Sequence, residues 1–320
     1  MNATSPDKLI EAYAQVSAAN KRSAGKLTSV LAPLYEQGID VLLLKGADVL
    51  PRLYGVWGIR PMIDVDMLVR GADLPAIDRI VRELGFAPQI NGNPAYHSSD
   101  QTLALDLITE IWYTGDTEEI WQRAVGRTLQ GIPVKGMGAD DLLIYLTAYS
   151  VLHRGYFQPS FSKDLSLLVS KEPLNWEFIV EEAFRCHLKI PLYHGLSYAL
   201  QRESILIPMK VMENLAPANV KDNLLLLVLR KLVTDKAVFD MGHFLLFIPL
   251  PGRKKWRRLR QAFWPSPVFL KYRYGEKGSS RPIWTRLRRA VHLAVEALLL
   301  SVRVSFLLAT RRRSNTTSHD

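Results

Sequence analysis

The sequence predicts an α+β fold in which a mixed β-sheet with flanking helices is followed by an α-helical domain. Two observations lead to this prediction. Between residues 39 and 136, short apolar or alternating segments typical of strands are interspersed with amphipathic segments. Beyond residue 140 the apolar residues recur almost throughout at helical spacing. Strands followed by a run of helices indicate an α+β protein, and a length of 320 residues suits two domains.

The individual elements follow from periodicity and from glycine and proline punctuation. The predicted strands are 40–44, 63–69, 86–90, 95–98, 101–108 and 128–134, and the predicted helices are 7–37, 47–54, 74–84, 116–125, 140–154, 162–171, 175–186, 189–203 and 221–246. These elements suggest five units: an N-terminal helical segment 1–38, a catalytic domain 39–136, a helical domain 137–250, a basic amphipathic region 251–313 and a disordered tail 314–320.

The central feature of the chain is the strand predicted at 63–69. Apolar residues alternate there with Asp64 and Asp66, so both carboxylates lie on one face, roughly 7 Å apart at their Cα atoms. Aspartate is disfavoured in strands, and two carboxylates this close repel each other. A divalent cation removes the repulsion, and oxygen ligands suit Mg²⁺. The alternative is that both are solvated aspartates at exposed strand positions.

A turn upstream of this strand has a composition that suits anion binding. Lys45 and Gly46 follow the apolar run 41–44 and precede the predicted helix 47–54. Backbone amides at a helix N-terminus bind anions, and glycine lets a phosphate approach closely. Alone, the pair would indicate only a turn with a solvated lysine, so the interpretation depends on the acidic strand that follows.

The stretch 41–70 resembles a known family. It contains Leu-Lys-Gly-Ala at 44–47, Tyr-Gly at 54–55 and Arg-Pro-Met-Ile-Asp-Val-Asp-Met-Leu-Val at 60–69. These segments resemble the uncharacterised bacterial nucleotidyltransferase family of the polymerase-β-like nucleotidyltransferase superfamily. The resemblance is most specific at 41–70 and weaker over 101–310. It implies a nucleotidyltransferase-like sheet and a metal-dependent transfer of an NMP group from an NTP to an acceptor hydroxyl.

The resemblance also assigns roles to individual residues. It implies that Asp64, Asp66 and Asp106 are catalytic and hold Mg²⁺ or Mn²⁺, and that Lys45, Gly46 and Arg60 hold the phosphates of the NTP. Many relatives have Asp-Leu-His where this chain has Asp106-Leu107-Ile108, which places any role of that histidine in doubt. Asp106 could also be a surface residue. A histidine and an aspartate that recur in the family's helical half match His153 and Asp164, for which a core or capping role is an equal alternative.

Two other classes of function remain open. The chain could keep the fold as a catalytically weak or inactive binding or scaffold protein, docked to a membrane surface or a biosynthetic complex. It could also be a membrane-surface protein in which the two aspartates are incidental. An intact set of three carboxylates favours the enzyme.

The charge distribution bears on the partners. The net charge is +10, but the segment 251–313 holds 17 of the 41 Lys and Arg residues and only two acidic residues, Glu276 and Glu296. A nucleic-acid polymerase needs basic charge near the chemistry, so nucleic acid is the less favoured partner. We expect an NTP and a small-molecule or protein acceptor of unknown identity. The single cysteine, Cys186, and an N-terminus without a secretion signal predict a cytoplasmic protein.

The C-terminal region suggests a peripheral contact with the inner membrane surface through 253–310. Residues 284–310 are very apolar, but a membrane-spanning helix would bury Glu296 and Arg303 at a high cost in free energy. An amphipathic helix avoids that cost. It could lie on an anionic membrane or pack against the helical domain.

Overall fold

The computed structural model describes residues 5–62, 64–90, 94–234, 245–246, 248–249, 252–267, 269–270, 274 and 280–316. It confirms the predicted fold class, because a seven-stranded mixed sheet is followed by a series of helices. The strands are β1 (Leu42–Leu43), β2 (Val65–Leu68), β3 (Phe86–Ile90), β4 (Pro94–Ser98), β5 (Ala104–Ile108), β6 (Val125–Leu129) and β7 (Ile132–Gly136).

The helices surround the sheet and then continue beyond it. They are α1 (Pro6–Glu36), α2 (Gly46–Val49), α3 (Leu74–Glu83), α4 (Glu118–Gln122), α5 (Ala139–Ala148), α6 (Phe161–Lys171), α7 (Trp176–Arg185), α8 (Lys189–Leu200), α9 (Met209–Leu215), α10 (Val220–Leu229), α11 (Gly252–Phe263) and α12 (Pro282–Thr316). Three of them, α2, α5 and α10, continue directly into π-helical turns at Leu50–Tyr54, Tyr149–Arg154 and Arg230–Thr234.

The strand order in the sheet is β3-β4-β5-β2-β1-β7-β6. The pairs β2–β5 and β1–β7 are parallel, and the other four neighbouring pairs are antiparallel. The two central strands β1 and β2 are short, and each is flanked by a parallel neighbour that arrives much later in the chain. This arrangement places β2 and β5 side by side with their residues in the same direction and register.

The two faces of the sheet belong to different hydrophobic cores. Residues Leu43, Val65 and Met67 pack in one core with α1 and α3. Residues Leu42 and Leu68 point the other way and pack in a second core that extends through the helices from α5 onward. Because alternate residues of a strand face opposite sides, Asp64 and Asp66 share the face of Leu68, which looks toward the helical half.

Burial corrects one expectation about the acidic strand. All four residues of β2 are buried, and Asp66 is only 4% exposed, so it is not at a solvated strand position. The alternation in the sequence therefore does not separate a buried face from a solvent-exposed face. It separates an apolar core on one face from a buried polar site on the other. The helical half covers the polar face, and single-sequence periodicity does not reveal a cover that comes from a distant part of the chain.

Three elements differ from the sequence prediction. The predicted strand at 128–134 is a hairpin of β6 and β7, joined by Gln130 and Gly131, which have φ values of 47° and 88°. Two positive φ values are typical of a tight hairpin turn, but glutamine is an unusual first residue there. Helices α9 and α11 were not predicted. The predicted strand start at residue 63, the turn at 91–93 and the helix end at 235–244 lie outside the described residues.

The C-terminal helix α12 packs on α11 through one face. Arg289 Nε donates to the carbonyl of Ala262 at 2.8 Å, and Arg286 Nε donates to the carbonyl of Pro265 at 3.0 Å. The helix runs to Thr316, so the first residues of the predicted disordered tail are helical, and 317–320 lie outside the described residues. In the described part of the chain, no helix is both long and apolar enough to cross a membrane.

Candidate functional site

Two of the three predicted metal-binding carboxylates lie side by side on neighbouring strands. Asp66 of β2 is directly opposite Asp106 of the parallel strand β5. Residues in register on adjacent strands project from the same face, and the strands themselves are about 5 Å apart. Asp64 precedes β2 by one residue and lies close enough to affect the pKa of Asp66 electrostatically, as does Asp106. The chain therefore brings Asp64, Asp66 and Asp106 together, although Asp106 is 40 residues away from Asp66 in sequence.

Lys45 projects into the same place from the end of β1. Its backbone has φ 48° and ψ −126°, a conformation that favours glycine and stores strain when another residue adopts it. The ammonium group lies 2.7 Å from Oδ1 of Asp66 and 3.8 Å from the centre of the Tyr149 ring. The strained turn at the carboxyl end of β1 thus directs the side chain of Lys45 to the carboxylate of Asp66 on the neighbouring strand β2.

The pKa values of this pair show opposing influences. Burial raises the pKa of Asp66, Lys45 counteracts this, and Asp64 and Asp106 add to the rise. Burial by itself lowers the pKa of Lys45, but the neighbouring Tyr145, Asp66 and Tyr149 outweigh it, so the pKa of Lys45 lies above its ordinary value. Lys45 is therefore charged at neutral pH, and it is the cation that neutralises Asp66 in this structure.

Arg60 takes a different position from the predicted one. Its Nε and Nη2 donate to both carboxylate oxygens of Asp164 at 2.9 to 3.1 Å, and both residues are buried. Tyr54 also donates its hydroxyl to Asp164, at 2.7 Å. Burial, followed by the charge of Asp164, raises the pKa of the Tyr54 hydroxyl. Asp164 therefore has a core role, because it connects the segment that carries Arg60 to α6.

The third guanidinium nitrogen of Arg60, Nη1, faces the Lys45–Gly46 turn. A Cβ atom on Gly46 would lie 2.6 Å from Nη1 of Arg60, so no side chain fits at position 46 while Arg60 holds Asp164. Asn20 of α1 holds the segment that carries Arg60, since its amide donates to the carbonyls of Trp57 and Arg60 and its oxygen accepts from the backbone N–H of Met62. Glycine at 46 is required by this packing, whether or not it also admits a phosphate.

The helical half contributes an aromatic column, of which the sequence analysis had singled out His153 but missed the two tyrosines. Tyr145, Tyr149 and His153 follow one another at four-residue spacing along α5 and its π-helical turn, and their rings stack with centroid distances of 5.9 Å and 4.8 Å. Trp112, in the loop after β5, lies 6.4 Å from the His153 ring. The four-residue spacing was visible in the sequence, but in an apolar helix it usually indicates only core packing.

The side chains at this site bear on the predicted metal ion. Three carboxylates on one face are oxygen ligands of the kind that Mg²⁺ and Mn²⁺ prefer, so the residue types fit. Among the described residues, however, no three His, Cys, Asp or Glu side chains are gathered tightly enough to hold a metal ion. Asp66 is instead bound to Lys45. The metal role of Asp64, Asp66 and Asp106 and the phosphate roles of Lys45, Gly46 and Arg60 stay predictions.

Three solved structures resemble this chain. The antibiotic-resistance factor ANT(2″)-Ia in solution has 16% identity and a TM-score of 0.41, over 57% of this chain and 100% of that chain. ANT(2″)-Ia in complex with adenylyl-2″-tobramycin has 15% identity and a TM-score of 0.39, over 52% and 96%. An antigenic nucleotidyltransferase-like protein from Paracoccidioides brasiliensis has 14% identity and a TM-score of 0.40, over 61% and 93%. Among curated proteins, no sequence matches significantly.

A match to a protein family covers more than half of the chain. The family described as uncharacterised nucleotidyltransferase matches residues 2–202, which include α1, the whole sheet and the helices through α8. This range contains the three carboxylates, Lys45, Arg60 with its partner Asp164, and the aromatic column. The match confirms the resemblance found in the sequence, and the chain belongs to this nucleotidyltransferase family.

Proposed function

We propose that the chain is a metal-dependent nucleotidyltransferase, which moves an NMP group from an NTP to an acceptor hydroxyl and releases pyrophosphate. The observation that carries the proposal is the register of Asp66 and Asp106 on parallel strands, with Asp64 beside them and a charged lysine in contact with Asp66. A cluster of carboxylates with one cation is what a site for a metal–triphosphate complex requires.

The reaction is an in-line displacement at the α-phosphorus. The acceptor oxygen forms a bond to this phosphorus while the bond to the bridging oxygen of the β-phosphate breaks, and pyrophosphate leaves with that oxygen. Mg²⁺ or Mn²⁺, when bound by Asp64, Asp66 and Asp106, would supply neutralisation of the charge that develops on the phosphate oxygens. The carboxylate of Asp106 accepts the proton of the attacking hydroxyl.

The basic residues position the triphosphate. Lys45 Nζ lies 2.7 Å from Oδ1 of Asp66, and its ammonium would pass from there to a phosphate oxygen when the NTP binds. Arg60 keeps Nε and Nη2 on Asp164, and Nη1, which lies against Gly46, is the guanidinium nitrogen that would meet a phosphate oxygen. Such preorganised cations contribute binding and charge stabilisation without rearrangement during the reaction.

The acceptor is a small molecule or a protein group rather than nucleic acid. The excess of Lys and Arg lies at 251–313, and the rest of the chain is slightly acidic. A polymerase needs a basic groove around its chemistry to hold a template. An NTP and a compact acceptor need only the local cations described above.

The test is mass spectrometry of protein and cell extract after incubation with each labelled NTP and Mg²⁺ or Mn²⁺. We expect a metal-dependent NMP adduct on one component, and a loss of about two or more orders of magnitude in rate for Asp64→Asn and Asp106→Asn. Asp66→Asn is a less clean variant, because it leaves Lys45 buried without its counter-ion. Activity of Asp106→Asn within a few-fold of the wild type would refute the assignment.

Steady-state kinetics separates the two kinds of role. Lys45→Ala should raise KM for the NTP more than Asp106→Asn does, since a phosphate ligand acts in the ground state. Asp106→Asn should act mainly on kcat. The reverse order would exchange the proposed roles.

A second candidate function is a catalytically weak or inactive nucleotidyltransferase-fold protein that binds or scaffolds. The observation that favours it is the ion pair of Lys45 with Asp66, because an internal cation already occupies the carboxylate that a metal needs. Calorimetry with ATP and GTP, with and without Mg²⁺, distinguishes the two. Metal-independent nucleotide binding without turnover supports the scaffold.

A further inference from the structure

The aromatic column, formed by Tyr145, Tyr149 and His153, begins inside the protein and ends at its surface. Tyr145 and Tyr149 are buried, but His153 is exposed. The planes of Tyr149 and His153 are inclined by only 18° at a centroid distance of 4.8 Å, so the stack of parallel rings continues to the outside. Burial in the core explains the two tyrosines and leaves the exposed ring at the end of the stack without an explanation.

The column stands directly beside the carboxylates. Tyr149, its middle ring, lies under the ammonium of Lys45, which contacts Asp66. Arg154, the neighbour of His153, lies 5.6 Å from the Tyr149 ring and close enough to Asp64 to interact with it electrostatically. The exposed end of the column therefore lies one ring beyond the place where the triphosphate is proposed to bind.

Trp112 adds a second aromatic surface at this end. It follows Asp106 by six residues, and its ring is tilted by 48° from His153 at 6.4 Å. Its indole N–H is buried and has no hydrogen-bond partner among the described residues. Buried donors are nearly always satisfied, so an unsatisfied one beside a candidate site suggests that a ligand acceptor completes it.

We propose that the outer end of the column, His153 together with Trp112, is the subsite that stacks against the base of the nucleotide. The inference rests on the proposed function, because it assigns the base of the same NTP whose phosphates meet Lys45. Stacking on aromatic rings tolerates any base, since every base has a π-face. The subsite thus supplies affinity for a nucleoside triphosphate over inorganic polyphosphate, and not selectivity among bases.

The test measures binding rather than turnover. The probe is 2-aminopurine riboside triphosphate with Mg²⁺, whose base fluoresces and is quenched on stacking. Inorganic tripolyphosphate, measured by calorimetry, reports the phosphate part of the site alone. His153→Ala should weaken binding of the fluorescent nucleotide by roughly five-fold or more and reduce its quenching, as expected for a lost stacking partner. Its affinity for tripolyphosphate should remain unchanged.

Two further variants make the result specific. His153→Phe keeps a planar ring and should restore quenching and affinity, whereas a role for the imidazole nitrogens predicts no rescue. Trp256→Ala removes an aromatic ring that is 76% exposed on α11 and should bind as the wild type does. His153 is exposed, so its replacement should leave the fold intact, and the melting temperature of each variant checks this.

The outcomes separate the inference from the proposed function. If the wild type binds both ligands and His153→Ala loses affinity for both equally, the residue serves the phosphates and base stacking is wrong. If His153→Ala and Trp112→Leu bind the fluorescent nucleotide as the wild type does, the base lies elsewhere, while the proposed function stands. If the wild type binds neither ligand at any Mg²⁺ concentration, both are overturned.

Discussion

The ammonium of Lys45 and the carboxylate of Asp66 form a buried ion pair with an Nζ–Oδ1 distance of 2.7 Å. Their side chains are 13% and 5% exposed, and Asp64 and Asp106 lie close to the same carboxylate. The pair joins the end of β1 to the middle of β2 at the point where a metal ion would have to bind. Lys45 would thus compete with the proposed divalent cation for Asp66.

The first prediction tests this competition. Lys45→Met removes the internal cation and leaves three carboxylates that repel one another, so Mn²⁺ should bind about ten-fold more tightly in the absence of nucleotide, equivalent to ~1.4 kcal/mol. Electron paramagnetic resonance of free Mn²⁺ measures the affinity directly.

Lys135→Met is the matched control for this variant. Lys135 also pairs with an aspartate, Asp40 at 2.8 Å, but both partners are substantially exposed. Its replacement should leave Mn²⁺ affinity unchanged. Equal Mn²⁺ affinity of Lys45→Met and the wild type would show that Lys45 does not compete with the metal.

The second prediction concerns Gly46. Its substitution by alanine places a Cβ atom 2.6 Å from Nη1 of Arg60, whose other nitrogens hold Asp164. The clash must displace a buried guanidinium, so Gly46→Ala should lower the free energy of unfolding by about 1–3 kcal/mol, typical of overpacking. Urea denaturation measures the difference.

Gly126→Ala provides the comparison, because a Cβ atom there meets nothing within 4 Å and its φ is not positive. That variant should lie within about 0.5 kcal/mol of the wild type, as surface substitutions usually do. If Gly46→Ala is equally harmless, Arg60 moves freely and its contact with Asp164 does not hold the turn.

The site was partly predictable from sequence. What separates its predictable residues from the others is whether their neighbours are local or distant in the chain. Asp66 belongs to β2 and Asp64 directly precedes this strand, so alternation places both on the same face without knowledge of the fold. Asp106 was found only through the family resemblance, since its position opposite Asp66 depends on which strands become neighbours. The sheet order brings together segments that the sequence keeps 40 residues apart.

The partner of Arg60 shows what a single sequence does not contain. Arg60 and Asp164 are 104 residues apart, and the sequence around either residue contains no pattern that predicts their hydrogen bonds. The burial of Asp66 was equally unpredictable, because the helices that cover it come from a later part of the chain. Local patterns predicted the elements, whereas pairings between domains required the structure.

The third prediction concerns His194, a buried residue of α8. Burial, followed by the charge of Arg230, lowers the pKa of His194 to about 4 from an ordinary value of 6.5. The unfolded chain therefore binds the proton more readily than the folded chain between pH 6.5 and 4, so stability is lost as the pH falls through this window. The free energy of unfolding should fall by about 2 kcal/mol from pH 7 to pH 5 through this residue.

His194→Gln isolates this contribution, because glutamine can still hydrogen-bond the Thr234 hydroxyl, which lies 3.2 Å from Nε2 of His194. The wild type and the variant share all other titrating groups, so the difference between their urea denaturation curves at pH 7 and pH 5 reports His194 alone. Identical pH dependence in the two proteins would mean that His194 accepts a proton in the folded state without penalty.

The last prediction concerns a stripe on α12, formed by Trp284, Leu287, Val291, Val295, Leu298 and Val302. At 100° per residue these six side chains lie within about 80° of one another, and each is 47–73% exposed. Arg286 and Arg289 lie on the opposite side, where they bind carbonyl groups of Pro265 and Ala262 at the α11 end. The apolar stripe therefore faces away from the packed face.

The charge of residues 251–313, which include α11 and most of α12, indicates what covers the stripe. The 17 basic and two acidic residues of this segment complement an anionic lipid surface, and each basic residue near such a surface contributes about 1 kcal/mol. We propose that α12 lies on an anionic membrane with the stripe in the acyl boundary, as amphipathic helices do. The full chain should pellet with vesicles of phosphatidylglycerol and phosphatidylcholine, and should not pellet with phosphatidylcholine alone.

Changing the stripe tests the assignment within the full chain. The triple variant Leu287→Ser, Val291→Ser, Val295→Ser should stay in the supernatant, because it removes apolar area without removing charge. The control replaces three still more exposed apolar residues elsewhere, Leu206, Met209 and Val220, with serine, and should pellet as the wild type does. If both triple variants pellet alike, charge alone holds the protein to lipid. If the stripe variant instead unfolds at a lower temperature than the control, the stripe packs against protein, and the membrane proposal is wrong.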